Sequence, residues 1–503
     1  MRRLLGWLRA IPVGTRVVVG IFAIVRLTYF LTGGGMATEI LQTSWQLLDV
    51  KQLRADPFGT VALLHIQPPL FNLFVGTVER WGPIDPGGVY KVLYLACGLI
   101  LVVNLRTLLA ELGWSSLAAT VGASVVAMSP VLLSYENTVT YELPVATALV
   151  LMGVWCARYA RTRATKPLVI LAAVMTFATL TRALMHPVWL IGVLAFVVIV
   201  ARPANGRRAV LAAFAIPIVL AGGWMVKNAV MFDEPSLSSW LGDNLARGVI
   251  APMPKHVVND LIRDGTLTPA ARVRGFSPYH EYLPAIGRCH QHWSEPVLRR
   301  LFKHNGLSNF NATCFLRVYH QEQDNALALI RERPGDYLGT RYAPASVHFM
   351  QENGPGLERF ADNWTFDFLD TVWSPVLVRT NVTIHDRGWM TPLIAHAPEP
   401  TAHPALGLVG ATLLVLVLGA AAAVRILRRR SHPADLAMTV LAGTVLFVLV
   451  VSVGTEYGEN ARFRVLVDPI VIGITAAVIT DAIRGLVNRR RARRSPTAAV
   501  APS

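Results

Sequence analysis

The sequence predicts an all-α polytopic membrane protein with about ten transmembrane helices and a mainly helical domain outside the membrane. Three observations predict it. Of 503 residues, 53% are apolar and the mean hydropathy is +0.45, too greasy for a soluble globule. The apolar residues gather in runs of bilayer-crossing length. The formal charge of +16 is carried by arginines in short connectors between those runs, a distribution that sets topology and does not point to nucleic acid as a partner.

The apolar runs cover 14–32, 88–110, 116–133, 143–160, 167–183, 187–202, 209–228, 406–426, 435–453 and 465–485. The first follows Arg2, Arg3 and Arg9; no small-residue cleavage site comes after it, so it reads as a retained span and not a signal peptide. An even number of spans puts both termini on one side. The clusters Arg158/Arg161/Arg163/Lys166, Arg202/Arg207/Arg208, Arg425/Arg428/Arg429/Arg430 and the tail from Arg484 to Arg494 fall on that side, and the positive-inside rule makes it cytoplasmic. Arginine's excess over lysine fits a GC-rich bacterial genome, so the expected location is the bacterial inner (plasma) membrane.

This map divides the chain into a seven-span module, 1–228, with an outer loop at 33–87; an extracytoplasmic domain, 229–405; three carboxy-terminal spans, 406–485; and a disordered basic tail, 486–503. Within the outer domain QEQDNALALIRERPGDYL, Gln321 to Leu338, has apolar residues at helical spacing until Pro334 and Gly335 end it. Cys97 and Cys156 fall in spans, where free thiols are expected. Cys289 and Cys314 fall in the outer domain, where a disulfide between them is expected. The triplets at Asn311 and Asn381 match glycosylation sequons, but such matches arise often by chance.

Reactive side chains collect on the outer face. The first loop holds Glu39, Asp49 and Asp56 and ends in LLHIQPPLFNLFVG, with His65 and Gln67 before Pro68-Pro69; SYENTVTYELP holds Glu136 and Glu142; TRALMHP holds Arg182 and His186; EYGENARFR holds Glu456, Glu459, Arg462 and Arg464; Lys227 ends the seventh run. Each has a plainer reading. The loop acids are otherwise solvated, Glu142 caps a helix start, and His186 marks a turn. Arg462, Arg464 and Lys227 snorkel, and His65 and Gln67 satisfy backbone groups at a re-entrant bend. Both readings stay open for each residue. In a bundle the span ends converge, and carboxylates facing cations in one vestibule suit transfer from a sugar phosphate. One carboxylate takes the acceptor's proton while cations neutralise the leaving phosphate.

Three stretches resemble the C-type (GT-C) membrane glycosyltransferases, in the branch of protein O-mannosyltransferases and the bacterial aminoarabinose and arabinofuranosyl transferases. They are LLDVKQLRADPFGTVALLHIQPPLFNLFVG, an acidic first loop leading to a "PPL" entry; SPVLLSYENTVTYELPVATALVLM, a span end, short loop, acid and new span; and GENARFRVLVDP, a late outer arginine segment. The resemblance extends over the first seven spans. It implies an inverting glycosyltransferase that uses a polyprenyl-phosphate-linked sugar donor and an envelope glycan, lipid or protein acceptor, with membrane lipids around it. The first-loop base it implies is Glu39, in preference to Asp49. Glu142 matches the second-loop acid, a metal or acceptor ligand in relatives that bind an ion, so Glu39 and Glu142 are the expected ligands if Mg or Mn is used. The acid pair usual after the first span is absent here: TGGGMATEILQTSWQLLD offers a lone Glu39 and then Asp49. His65, Gln67, Arg182, His186, Lys227, Glu459, Arg462 and Arg464 are the expected donor-phosphate and substrate contacts. The rival classes are a transporter or lipid flippase, which usually carries ionisable groups near midspan and two related halves, and a non-catalytic envelope scaffold.

Overall fold

The structure is a computed structural model that describes residues 11–82, 85–290, 292–351, 363–377, 404–456 and 460–494. Among the described residues every regular element is a helix, with three isolated β-bridges. In chain order the main helices are α1 (Val13–Leu31), α2 (Pro69–Trp81), α3 (Pro86–Glu111), α4 (Ser116–Ala127), α5 (Pro130–Glu136), α6 (Glu142–Thr162), α7 (Thr165–Thr181), α8 (Pro187–Val200), α9 (Gly206–Phe232), α10 (Leu241–Val249), α11 (Cys314–Glu332), α12 (Ala343–Phe349), α13 (Leu406–Leu427), α14 (Pro433–Thr455), α15 (Asn460–Arg464) and α16 (Asp468–Arg494).

Seven of them, α1, α3, α6, α9, α13, α14 and α16, are long and apolar enough to cross a membrane. An eighth is added if α4 and α5 are one span, but they meet at 58°. The bend follows from Pro130, which takes the first position of a new helix while Ser129 caps it by accepting from Leu132 N–H at 3.3 Å. The runs at 167–183 and 187–202 also form apolar helices, of 17 and 14 residues. At 1.5 Å per residue the shorter reaches about 21 Å, less than the roughly 30 Å hydrocarbon core.

Helix α6 is the axis of the bundle. Its apolar window is 78% buried, against 22% for α1 and α9, and it packs against α3, α7 and α14. Close approach relies on small residues. A Cβ on Gly153 of α6 would meet Leu108 at 2.9 Å, and one on Gly122 of α4 would stand 2.5 Å from the Gly473 carbonyl oxygen of α16. Packing through such positions substitutes for the hydrophobic drive that lipid does not supply.

On one side of the bundle the first loop and the segment after α9 form a single packed body. Trp45 of the loop lies against Phe276 and Phe310, ring centroids 5.6 and 5.7 Å apart, and Trp240 meets both from another direction. Helix α10 crosses α11 at Gly242, where a Cβ would come within 1.9 Å of the Tyr319 carbonyl oxygen. Pro68, extended at φ −60° and ψ 153°, precedes Pro69 at the first position of α2, so the double proline starts an amphipathic helix. Helix α11 ends at Glu332, and Pro334 begins the next helical segment. The tail departs from expectation: α16 continues to Arg494, nine residues beyond 485, because its arginines are good helix formers. Residues 495–503, with the remainder of the expected disordered tail, lie outside the described residues, as do Asn381 and Glu459.

Replacing Gly122 with alanine forces α4 and α16 apart and lowers stability by about 1–3 kcal/mol. Gly20→Ala, whose Cβ meets nothing within 4 Å, leaves stability unchanged or slightly raised. Thermal unfolding in detergent separates the two.

Candidate functional site

Four segments meet around one carboxylate. Glu142 opens α6, fully buried, and its Oε1 accepts from Arg182 Nη1 at 2.7 Å and from Arg462 Nε at 2.6 Å. Arg182 is the residue that closes α7 and Arg462 lies on α15. The Arg182 guanidinium sits between the Tyr141 and Phe463 rings, 4.2 Å from each centroid, and Arg462 Nη2 donates to Tyr141 Oη at 3.0 Å. Tyr141 in turn donates to the Gln46 side chain of the first loop. A carboxylate that only capped α6 would accept from backbone N–H groups; this one serves two arginines, and a buried charge needs such partners. Two guanidiniums against one carboxylate leave the cluster positive.

The cluster is not saturated. Arg182 Nε and the Tyr135 hydroxyl are buried with no hydrogen-bond partner, and Glu142 Oε2 takes no bond from either arginine, with the Thr140 hydroxyl beside the carboxylate. Groups of this kind are rare in folded proteins and mark places where a ligand or water completes the bonding. Tyr135 also lines a narrow, mostly apolar crevice against α16, with room of about 20 Å³, enough for about one water. Of the three charged residues Arg462 is the most open, at 19% side-chain exposure against 4% for Arg182.

A second ion pair braces the same face. Arg26 of α1 holds Glu136 of α5 with both arms, at 2.7 Å each, and donates to the Ala127 carbonyl. Lys91 of α3 donates to the next residue, Asn137. The segment so held pairs with the first loop: Ala37 N–H donates to the Asn137 carbonyl at 2.7 Å and Val139 N–H to the Ala37 carbonyl at 3.3 Å. Sequence reasoning passed over Arg26 and Lys91, and the signal was there, since a basic residue inside an apolar run implies a buried partner.

Other expected contacts are occupied in joining the first loop to the segment after α9. His65 is fully buried; its backbone N–H donates to Asn311 Oδ1 at 3.0 Å, Nε2 donates to the Asn311 carbonyl at 3.0 Å and Nδ1 accepts from the Ser239 hydroxyl at 2.8 Å. Burial pushes its imidazole down to about 3, so it stays neutral. Asn311, buried in this latch, is closed to glycosylation. Gln67 is half-buried beside it. Lys227 Nζ donates to the Leu64 carbonyl at 2.6 Å and lies 3.7 Å from the Trp224 ring. Asp49 starts a short helix, Val50–Ala55, by accepting from Lys51 N–H; its oxygens also take His304 N–H at 2.8 Å and His304 Nδ1–H at 2.6 Å. Burial alone would raise its carboxyl, but the bonds from His304 and Lys51 hold it below the ordinary value.

Glu39 is exposed at the start of Ile40–Thr43. His186 caps α8 by accepting from Val188 N–H at 3.2 Å. Arg464 turns away from the cluster to Asp468 at 2.9 Å and the Phe349 carbonyl at 2.6 Å. Cys289 and Cys314 are joined as a disulfide, and Cys97 and Cys156 are free. The donor set at Glu142 does not fit a divalent ion: its carboxylate already faces two guanidiniums. Among the described residues no group of three or more His, Cys, Asp or Glu side chains is arranged to hold a metal.

No model of a known protein family, no curated protein and no solved structure matches this chain.

The body packed on the first loop also buries two acids that sequence reasoning missed, Asp243 of α10 and Glu322 of α11. Asp243 Oδ1 and both Glu322 oxygens have no partner. Burial pushes the Asp243 carboxyl up to about 7 against the Phe276 N–H that opposes it, and burial followed by the Asp243 charge raises Glu322 well above the usual range. An acid raised in the folded state stabilises it while protonated, so its full contribution is present below the unfolded value of about 4 and is lost as pH climbs through about 7. Thermal unfolding in detergent therefore shifts downward between about pH 5 and about pH 8, and Asp243→Asn with Glu322→Gln flattens the profile.

Proposed function

We propose that this chain is an inverting, polyprenyl-phosphate-sugar-dependent glycosyltransferase of GT-C type, acting on the extracytoplasmic face of the bacterial inner membrane with both termini cytoplasmic. In this reading the ten apolar helices are ten spans, the short α7 and α8 included, and the body built from the first loop and residues 229–351 lies outside. The observation that carries it is the buried, unsaturated cluster of Glu142, Arg182 and Arg462 beside the first loop.

The chemistry follows from charge. As the bond between the sugar's anomeric carbon and the phosphate oxygen breaks, negative charge grows on the phosphate. Arg462, at the open edge, and Arg182 behind it supply donors for that charge. The acceptor hydroxyl forms the new glycosidic bond from the opposite face, its proton passing to a carboxylate, and the lipid phosphate departs. Of the two candidate bases Asp49 is committed to His304 and Lys51, which leaves Glu39 as the base. The guanidiniums take the electrostatic part that Mg or Mn plays in metal-using relatives. The acceptor is an envelope glycan, lipid or protein, with its class set outside this cluster.

Two observations favour a transporter or flippase instead: Arg26 and Glu136 form a buried ion pair among apolar helices, and α4 and α5 make a broken span. The purified chain in proteoliposomes, assayed for both glycosyl transfer and transport, decides between them. Lipid and glycan profiling of a deletion strain names the missing linkage, and transfer is then assayed from the matching polyprenyl-phosphate sugar. Arg462→Gln and Glu39→Gln each lower turnover about 10²-fold or more, while Asp49→Asn lowers thermal stability and largely spares turnover. If transfer survives both Arg462→Gln and Glu39→Gln unchanged, the reading fails; movement of lipid or solute with no glycosidic bond made supports the transporter.

A further inference from the structure

The outer body carries a second cationic feature, away from the Glu142 cluster in sequence and in its contacts. A cleft of about 410 Å³ is lined by Tyr279, His280, Leu283, Arg288, Arg299 and Leu301, together with the Cys289–Cys314 disulfide. No carboxylate lines it. Arg288 and Arg299 are both exposed, and among the described residues neither is held by an ion pair or hydrogen bond. Arg317 acts on Tyr279 from α11, adding a third positive charge to the neighbourhood.

Two unpaired guanidiniums lining one cleft repel each other and need an architectural reason to share it. The disulfide supplies one. It joins the segment bearing Arg288 to the first residue of α11 across a Cα–Cα distance of 5.5 Å, and the Thr313 N–H donates to the Leu298 carbonyl at 2.9 Å, fixing the Arg299 segment to the same point. Both arginine-bearing stretches are thereby tied to the start of one helix, so the walls are set before any ligand arrives. Tyr279 is anchored by its hydroxyl donating to the Gly287 carbonyl at 3.2 Å and by edge contact with Phe315 at 5.6 Å, which gives the cleft a fixed aromatic side.

We propose that this cleft binds an oxyanion, a phosphate or carboxylate borne by an envelope glycan or lipid, through the guanidiniums of Arg288 and Arg299. Planar guanidinium forks match both anions. The inference does not rest on the glycosyltransfer reading, because a transporter or a scaffold with this outer body presents the same cleft.

The test is arginine footprinting. The full chain, purified in neutral detergent, is treated with phenylglyoxal, and modification of Arg288 and Arg299 is followed by peptide mass spectrometry, with the exposed Arg263 as internal reference. Inorganic phosphate or galacturonate oligosaccharide protects Arg288 and Arg299 saturably while Arg263 stays reactive; neutral oligosaccharide protects neither. Protection by phosphate alone assigns a phosphorylated ligand, and stronger protection by galacturonate assigns a carboxylated glycan. Protection in phosphatidylglycerol nanodiscs but not in phosphatidylcholine ones assigns a lipid headgroup. In a direct binding titration, Arg288→Gln with Arg299→Gln weakens the preferred anion about tenfold or more. Absence of saturable protection by any of these anions, equal protection of Arg263, or unchanged affinity in the double variant overturns the proposal; an unchanged thermal unfolding midpoint shows that the variant is folded.

Discussion

One carboxylate shared between two guanidiniums holds the face of the bundle on which the site lies. At about 4 Å and an effective dielectric near 20, each charge pair is worth roughly 4 kcal/mol, and stripping either partner away strands a charge in a place with no water to receive it. Glu142 therefore cannot separate from the ends of α7 and α15, and Tyr141, bonded to Arg462 and Gln46, carries the restraint into the first loop. The pair of Arg26 with Glu136 does the same for α1 and α5. A bundle whose helices attract one another only through packing acquires at this face a set of contacts that specify which ends meet.

The distinction between scaffold and site follows from how completely each buried polar group is bonded. His65 spends its backbone N–H and both ring nitrogens on Asn311 and Ser239, and Asp49 spends both oxygens on His304 and Lys51. Neither keeps capacity for a ligand without giving up a bond that holds the first loop in its packed body. Glu142 and Arg182 each keep an unused atom in a dry place. Residue type alone does not separate these cases: a histidine and an aspartate in an outer loop look more reactive on paper than a glutamate at a helix start.

Hydropathy made the apolar helices legible because the bilayer imposes a length that the chain must match, and positive charge in the connectors indicated which ends share a side. That was enough to bring Glu142, Arg182 and Arg462 together on paper, since each sits at a run's end. It was not enough for Arg464, two residues from Arg462, because the turn of α15 that aims one inward aims the other at Asp468. The partners of His65 and Asp49 lie some 250 residues on in the chain, a distance over which no local pattern carries information. Glu322 was different. Buried Phe315, Val318, Tyr319, Ala326 and Leu329 mark the apolar face of α11, and Glu322 falls on that face by the same spacing, so an amphipathic reading extended four residues at a time would have found it.

Charge also decides which kind of ligand the Glu142 cluster can accept. Arg182 and Arg462 bring two positive charges against the single negative charge of Glu142, so the cluster is net positive. A divalent cation would bring it to three positive charges with a single carboxylate as ligand, against the several hard oxygens such ions require. A phosphate brings negative charge and acceptor oxygens, which Arg182 Nε lacks. In the proposed transfer it enters past Arg462, the more open of the two arginines, and competes with Glu142 Oε1 for the same donors. The carboxylate then turns toward the Thr140 hydroxyl beside it. On that proposed reading, the cluster is an anion site held closed by a side chain of the same charge as its ligand.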